Sequence, residues 1–169
     1  REIDIMAYMA YSTNLTSTNA EERRKKFGIY SIQVMGHYIF IACEMQNDIL
    51  VYNYLTDSFE QSLKGHTNSV NSMMIHQAHP SFPLWLLSTS ADNTTTIHNI
   101  ETRTFVTRLG SVDGSDYTQG HTASCIAIHA YNNLIVTGGF DCKVYIWMVT
   151  TESASAEIKF QLVVSTAVM

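Results

Sequence analysis

The chain has 169 residues, a net charge of −5, and a composition of 46% hydrophobic and 15% charged residues. This composition indicates a folded domain with a core, and the acidic balance disfavours a nucleic-acid groove, which needs clustered lysine and arginine. Cys43, Cys125 and Cys142 are odd in number and form no CxxC pair, so we expect no disulfide framework and an intracellular, cytoplasmic or nuclear location. No apolar run approaches the roughly 18 residues that span a bilayer, so no membrane partner is predicted.

Residues 1–26 match no clear element. Residues 3–11 are apolar enough to favour a strand of a preceding unit, and a polar tract follows them. Residues 21–26, with the sequence EERRKK, form a charge run. Such a run is more often a solvated loop than a binding patch, particularly where acidic residues neighbour the cations.

From residue 27 onward, one pattern occurs three times. Residues 134–149 (LIVTGGFDCKVYIWMV) read as two apolar strands joined by a turn that contains two glycines and Asp141. Residues 85–100 (WLLSTSADNTTTIHNI) match this pattern without a gap, and residues 40–55 (FIACEMQNDILVYNYL) match it again. The recurrence of strand pattern and turn residues together indicates an internal repeat.

The repeat predicts three units, at residues 27–65, 66–119 and 120–169, each with four strands in chain order. The inner strands are predicted at residues 28–35, 69–76 and 124–130, and the outer strands at 59–64, 104–109 and 157–164. Pro80 and Pro83 exclude a regular strand between residues 77 and 83 and predict a loop there.

A Gly-His pair ends at His66 in the second unit and at His121 in the third. Each pair is followed by a hydroxyl residue and an Asp, and in the third unit also by a Trp. This pattern resembles the WD-repeat family. The Asp that usually follows the Trp is replaced by Met148. The resemblance implies an all-β fold of four-stranded antiparallel β-propeller blades. It also implies a partial propeller, because a closed ring takes about 4–8 blades. A Greek-key β-sandwich is the alternative fold, but it does not explain the recurring Asp.

In WD-repeat blades a His, a hydroxyl, an Asp and a Trp form a buried hydrogen-bonded chain, and the resemblance assigns the same structural role here. The two sets are His121, Thr137, Asp141 and Trp147 in the third unit, and His66, Ser88, Asp92 and, in place of Trp, His98 in the second. In the first unit the aligned places hold Cys43, Asn47 and Asn53, so none of the set is intact.

Three other positions follow from the alignment. Gly36-His37 is predicted to be a turn between strands rather than the family dipeptide. His76 and His129 are taken as the same position in two repeats. His121 precedes the aligned strand residue Ile128 by seven residues, whereas His66 precedes Ile75 by nine, which predicts a shifted loop in the third unit.

The sequence gives little support for a catalytic site or a cofactor site. A Ser-His-Asp triad is disfavoured because the hydroxyl lies inside a strand, with no strained nucleophile elbow. No set of four zinc ligands at recognisable spacing occurs, and no glycine-rich phosphate loop is present. We therefore predict no cofactor, no metal and no enzymatic activity.

The resemblance implies a non-enzymatic scaffold that binds other proteins or peptides. An RNA-binding WD-repeat protein is the alternative, based on residues 21–26, and a propeller enzyme is the lower alternative. The partner-facing surface is predicted on the loop face that carries His66, Asn93, Tyr117 and Cys142. Two terminal flanks are expected to be apolar, so the chain needs further blades or self-association. The flank residues are Ile39, Ile41, Leu50 and Tyr52 at one end, and Ile135, Val144 and Ile146 at the other.

Overall fold

The computed structural model describes residues 3, 5, 28–44, 46–111, 119–151 and 158–167. Within these ranges the chain forms three four-stranded antiparallel sheets, which we call the first, second and third blades. The first contains β1 (Ile29–Met35), β2 (Tyr38–Cys43), β3 (Leu50–Asn53) and β4 (Ser58–Phe59). The second contains β5 (Val70–His76), β6 (Trp85–Ser90), β7 (Thr95–Asn99) and β8 (Thr104–Leu109). The third contains β9 (Cys125–Tyr131), β10 (Leu134–Gly139), β11 (Lys143–Thr151) and β12 (Ile158–Ala167).

The predicted all-β class of four-stranded antiparallel blades is confirmed. Gly36 and His37 form the turn between β1 and β2, as the sequence predicted. The segment that contains Pro80 and Pro83 is a loop. The first outer strand is shorter than predicted: β4 has two residues, and only an isolated bridge between Ile49 and Leu63 continues the pairing.

The blades stand side by side along their inner strands, β1, β5 and β9. Between the first two, the Met73 amide donates to Ser31 Oγ (3.0 Å) and Gln33 Nε2 donates to the Met73 carbonyl (3.1 Å). Between the second and third, Asn71 Nδ2 donates to Ser124 Oγ (3.1 Å) and to the Cys125 carbonyl (2.8 Å). Side chains on inner strands thus bond the backbone of one blade to the next, and the arrangement is a sector of a propeller.

The core lies between blades rather than within one. Phe40 and Val51 of the first blade pack with Leu86 of the second. Trp85 and Leu87 of the second pack with residues of the third, among them Ile135, Tyr145 and Trp147. Each buried side chain of this size contributes about 1.5–3 kcal/mol through burial, so neighbouring blades stabilise one another.

The prediction that Ile135 lies on a terminal flank was wrong. Ile135 is fully buried in the cluster that joins the third blade to the second. Val144 and Ile146 alternate with the residues of that cluster along β11 and are half-buried. At the other end, Ile41, Leu50 and Tyr52 do form a separate apolar cluster, with Ile3, Ile5, Ile39 and Phe59 packed against it.

The sheet register corrects the alignment of the first repeat. The β1–β2 turn pairs Met35 with Tyr38, as its counterparts pair His76 with Trp85 and Tyr131 with Leu134. Ile41 is therefore equivalent to Ser88 and Thr137, and Tyr52 to His98 and Trp147. Cys43, Asn47 and Asn53 do not occupy the signature places. The alignment slipped by two residues in β2, a shift that leaves every side chain on the same face and so preserves the apolar pattern.

A similar slip affected the inner strands. Opposite Leu86 and its equivalent Ile135 lie Ile75 and Ala130, so Ala130 rather than Ile128 matches Ile75. Both histidines of the predicted chains consequently precede the matching strand residue by nine positions, and the third unit has no shifted loop. His129 is equivalent to Met74, and His76 to Tyr131, so the two histidines are not one repeat position.

Candidate functional site

The second blade brings His66, Ser88 and Asp92 together in its interior. His66 Nδ1 lies 3.0 Å from Asp92 Oδ2 and donates to it, since a carboxylate can only accept. His66 Nε2 lies 3.0 Å from both Ser88 Oγ and Thr96 Oγ1, and these two hydroxyls are 2.8 Å apart. All four side chains are buried. Each polar atom in this chain meets a partner, as burial requires.

Asp92 holds the β6–β7 turn as well as the histidine. Its Oδ2 also accepts from the Thr67 amide (2.8 Å), and its Oδ1 accepts from the Thr94 amide (3.0 Å) and hydroxyl (2.6 Å). Burial alone raises the pKa of Asp92, but the bonds from His66, Thr94 and Thr67 outweigh it and hold the pKa far below its ordinary value. Asn93, at the tip of this turn, has a φ of 71°.

The prediction for His98 was wrong in its contacts. His98 occupies the place equivalent to Trp147, but its Nε2 donates to the Lys64 carbonyl (2.8 Å) rather than reaching Ser88. Its Nδ1 is buried with no hydrogen-bond partner among the described residues. The imidazole is shorter than an indole, and Thr96 supplies the second hydroxyl instead. Sequence comparison missed Thr96 because its counterpart in the third unit is Tyr145, which carries no such signal.

The four predicted residues of the third blade form one continuous chain of hydrogen bonds. The Trp147 indole donates to Thr137 Oγ1 (3.2 Å), Thr137 Oγ1 lies 3.0 Å from His121 Nε2, and His121 Nδ1 lies 2.9 Å from Asp141 Oδ1. The carboxylate also accepts from the amides of Thr122 (3.1 Å) and Lys143 (3.2 Å). Burial by itself raises the pKa of Asp141, but the bonds from His121 and the Thr122 amide lower it by more. The pKa of Asp141 is therefore below its ordinary value.

Gly139 is a member of this site that the motif did not identify. A Cβ at this position would lie 2.6 Å from His121 Nδ1, 3.0 Å from the Ser124 carbonyl and 3.1 Å from Asp141 Oδ1. Real side chains do not approach so closely, so the histidine can sit against the turn only because residue 139 has no side chain. The double glycine was visible in the sequence, but only the structure separates its two members: a Cβ at Gly138 would meet nothing nearer than Ala127, at 3.8 Å.

Neither hydroxyl can serve as a nucleophile. Ser88 and Thr137 are 0% and 1% exposed, and each is engaged on the histidine side and by a second donor. A substrate carbonyl cannot reach an atom enclosed in this way, so the His–Asp pairs hold turns in place rather than perform acyl transfer. Among the described residues, no group of three His, Cys, Asp or Glu could hold a metal ion.

The thiols are mostly inaccessible. Burial raises the pKa of Cys43 to about 11 and that of Cys125 to about 12, so both remain protonated and unreactive at neutral pH. Cys142 is exposed at the β10–β11 turn, with a φ of 59°. In the described part of the chain, no helix is long and apolar enough to cross a bilayer.

One face of the molecule carries the two turns that are held by the buried hydrogen-bonded side chains of the second and third blades. The Asn93 and Cys142 turns lie there, fastened to the loops that enter β5 and β9 by Ala91 N–Ser69 O (2.9 Å) and Phe140 N–Ser124 O (2.9 Å) bonds. Tyr117, predicted for the same face, lies outside the described residues. Phe140 was missed by sequence reasoning although it directly precedes Asp141, and its ring is 69% exposed.

Comparison with known proteins supports this architecture. The family model described as "WD domain, G-beta repeat" matches residues 57–99 and 110–148, which contain all eight residues of the two predicted sets. No curated protein matches the chain.

Among 630 matching chains of solved structures is the computationally designed Ika8 protein, with a TM-score of 0.57 and 14% identity. The match covers 80% of this chain and 46% of Ika8, so this chain spans about half the length of that protein. At this identity the likeness concerns the fold alone. The repeat match and the three antiparallel blades together identify the chain as a member of the WD-repeat β-propeller family.

Proposed function

We propose that this chain is a non-enzymatic scaffold that binds other proteins or peptides through its loop face, defined here as Thr67, Asn68, Asn93, Phe140 and Cys142. WD40 repeats generally mediate protein–protein interactions. The observation that carries the proposal is the use of both His–Asp pairs to fix the turns of this face, so that binding loops would be presented without a large ordering cost.

Phe140 gives the face an anchor. Large aromatic side chains supply much of the energy of protein interfaces, and the Phe140 ring is exposed although its backbone is fixed by the Ser124 carbonyl. Asn93 and Cys142 lie at the tips of the two equivalent turns, both in the left-handed region. The proposed surface is therefore an exposed ring beside two rigid polar turns.

Site-specific photo-crosslinking tests this proposal. A photoreactive benzoylphenylalanine replaces Phe140, and in a control it replaces Leu55, which is equally exposed (69%) in the β3–β4 turn at the opposite end of the strands. We expect protein adducts from position 140 in extracts of the source cells, and few from position 55. Adducts from position 55 alone would place the site on the opposite face. Ribonuclease-sensitive adducts would instead support the RNA-binding alternative.

The terminal flanks support a second part of the proposal, that the chain works with further blades or a second copy. Ile32 and Val34 on the first blade are 50% and 59% exposed, and Val163 on the third is 49% exposed. Exposed apolar flanks of this kind favour association. Size-exclusion chromatography with light scattering should show an oligomer or aggregate for the 169-residue chain; a monodisperse monomer with a cooperative melt would contradict this part.

A further inference from the structure

A groove lies at the outer rim between the second and third blades, and its Gly110 end adjoins the Asn93 turn of the loop face. It encloses about 550 Å³ between β8 and β12. Its base is formed by Trp147 and Leu109, both about 5% exposed, and its β12 wall by Ile158, Phe160 and Leu162, which are partly buried. We call this site the rim groove. It is a cleft with both polar and apolar walls, of the size that accepts a few side chains of a ligand.

Two charged residues line the rim groove within the described part of the chain, and both are cations: Arg108 on β8 and Lys159 on β12. Among the residues that the structure describes, no Asp or Glu belongs to the lining, although the chain as a whole has a net charge of −5. Arg108 Nη2 donates to the Gly65 carbonyl, and its Nε is buried with no hydrogen-bond partner among the described residues. The guanidinium carries a positive charge at this wall of the groove, and a carboxylate is the strongest acceptor that a partner protein can offer it.

The two strands that border the groove also favour an extended ligand. β8 and β12 each stand at the outer end of their sheet, so each pairs with one strand within the described part of the chain. β12 is the longest strand described, with ten residues and no proline. An extended segment that lies along such a strand places alternate side chains on one side, matching the apolar residues that recur at Ile158, Phe160 and Leu162.

We propose that the rim groove binds an extended peptide segment of a partner protein, in which apolar residues alternate and are flanked by one or more carboxylates. The apolar side chains would pack on Trp147 and Phe160, and the acids would pair with Arg108 and Lys159. RNA fits less well, because two cations on an acidic protein neutralise few phosphates. This inference shares with the proposed function only the assumption that the chain binds proteins, and it concerns a different set of residues.

The test uses the full chain and a display library of random ten-residue peptides. Selected peptides should be enriched in alternating apolar residues with Asp or Glu. Their binding, measured by fluorescence polarisation of synthetic copies, should weaken about fivefold or more in Lys159→Gln and at high salt. Gln161→Glu is the matched control: it lies on the same strand, is exposed, changes the net charge equally and does not line the groove.

Three outcomes would overturn the inference. Selected peptides without acids, or with equal affinity for Lys159→Gln and the parent, would remove the charge argument. Peptides whose binding falls with Phe140→Ala but not with Lys159→Gln would belong to the loop face, which would support the proposed function while rejecting the groove. Selection of no peptide by the parent, together with binding of a ten-nucleotide RNA that Lys159→Gln abolishes, would assign the groove to nucleic acid.

Discussion

The second and third blades fix equivalent turns with buried hydrogen-bonded networks that are built from different residues. In each, a buried His bridges an Asp at the β-turn and a hydroxyl on the neighbouring strand. In the third blade the hydroxyl is completed by the Trp147 indole, whereas in the second it is completed by Thr96, two residues before the Trp147-equivalent position and on the same face. The requirement that persists is therefore a second hydrogen-bond partner for the buried hydroxyl, and the identity of that partner varies.

The residues around these two hydrogen-bonded networks also differ. In the third blade, Tyr145 stands at the Thr96 position and packs between His121 (ring centroids 4.4 Å apart) and Trp147 (6.1 Å). In the second blade, Ser90 stands at the Gly139 position, where its hydroxyl accepts from the Asp92 amide (3.1 Å) and donates to the Asn68 carbonyl (3.0 Å). The second blade thus fixes its turn with additional polar side chains, and the third fixes its turn with aromatic packing and a glycine.

The largest expected effect separates the two aspartates. Asp92→Ala removes a buried acceptor that serves the Thr67 amide and the buried residues His66 and Thr94, and it should lower the free energy of unfolding by about 3 kcal/mol. Asp141→Ala should cost less, about 2 kcal/mol, because the Asp141 carboxylate accepts three of the described hydrogen bonds, whereas the Asp92 carboxylate accepts four.

Urea melts of the two variants and the parent measure this difference. Exposed Asn68→Ala serves as the control. Among the described residues its side chain bonds only to the neighbouring Ser69 amide, so its loss should shift the midpoint little. Equal midpoints for the parent and both aspartate variants would show that the His–Asp pairs do not hold the turns.

The second effect tests the glycine on which only the third blade depends. Gly139→Ala places a Cβ against His121, Asp141 and the Ser124 carbonyl, and we expect a loss of about 2 kcal/mol in the free energy of unfolding. Gly138→Ala is the neighbouring control, with room for a methyl group and an expected change of about 0.5 kcal/mol or less. Thermal melts that rank Gly138→Ala as the more damaging change would contradict the close packing described for His121.

The third effect compares the two hydroxyl partners directly. Trp147→Phe removes the indole N–H and keeps most of the ring, and Thr96→Val removes one hydroxyl and keeps the shape. Each should cost about 1 kcal/mol, because each leaves a buried hydroxyl with one partner fewer. Differential scanning calorimetry of the two variants should therefore give similar losses. A neutral Thr96→Val beside a costly Trp147→Phe would mean that Thr96 is not the second blade's counterpart of the indole.

The sequence predicted the fold and the polar residues of both chains because these depend on local patterns. Alternation of apolar residues marked the strands, and the aligned aspartates marked the turns. The sequence did not predict the register of the first repeat, because a shift of two residues preserves the alternation and no intact motif fixes the alignment there. It also did not predict the roles of Thr96 and Gly139, since their partners come from loops and strands distant in the sequence.

The smallest effect concerns His98, the residue that takes the place of the tryptophan. Burial lowers the pKa of His98 below its ordinary value, and its bond to the Lys64 carbonyl only partly opposes this. The unfolded chain therefore binds a proton at His98 more readily than the folded chain, so stability falls as the pH drops below about 6.5. Protonation would also add an N–H at Nδ1, which has no partner among the described residues.

His98→Gln retains a donor for the Lys64 carbonyl but cannot titrate, so it should remove the part of the stability loss that occurs between about pH 7 and pH 5. The contribution of Asp92, whose pKa is also lowered, is lost only as the pH falls below about 4, and both proteins should share it. Urea midpoints measured at intervals across this range separate the two. Parallel curves for His98→Gln and the parent from pH 7 to pH 5 would contradict this prediction. They would show that titration of His98 does not make the stability of the second blade depend on pH.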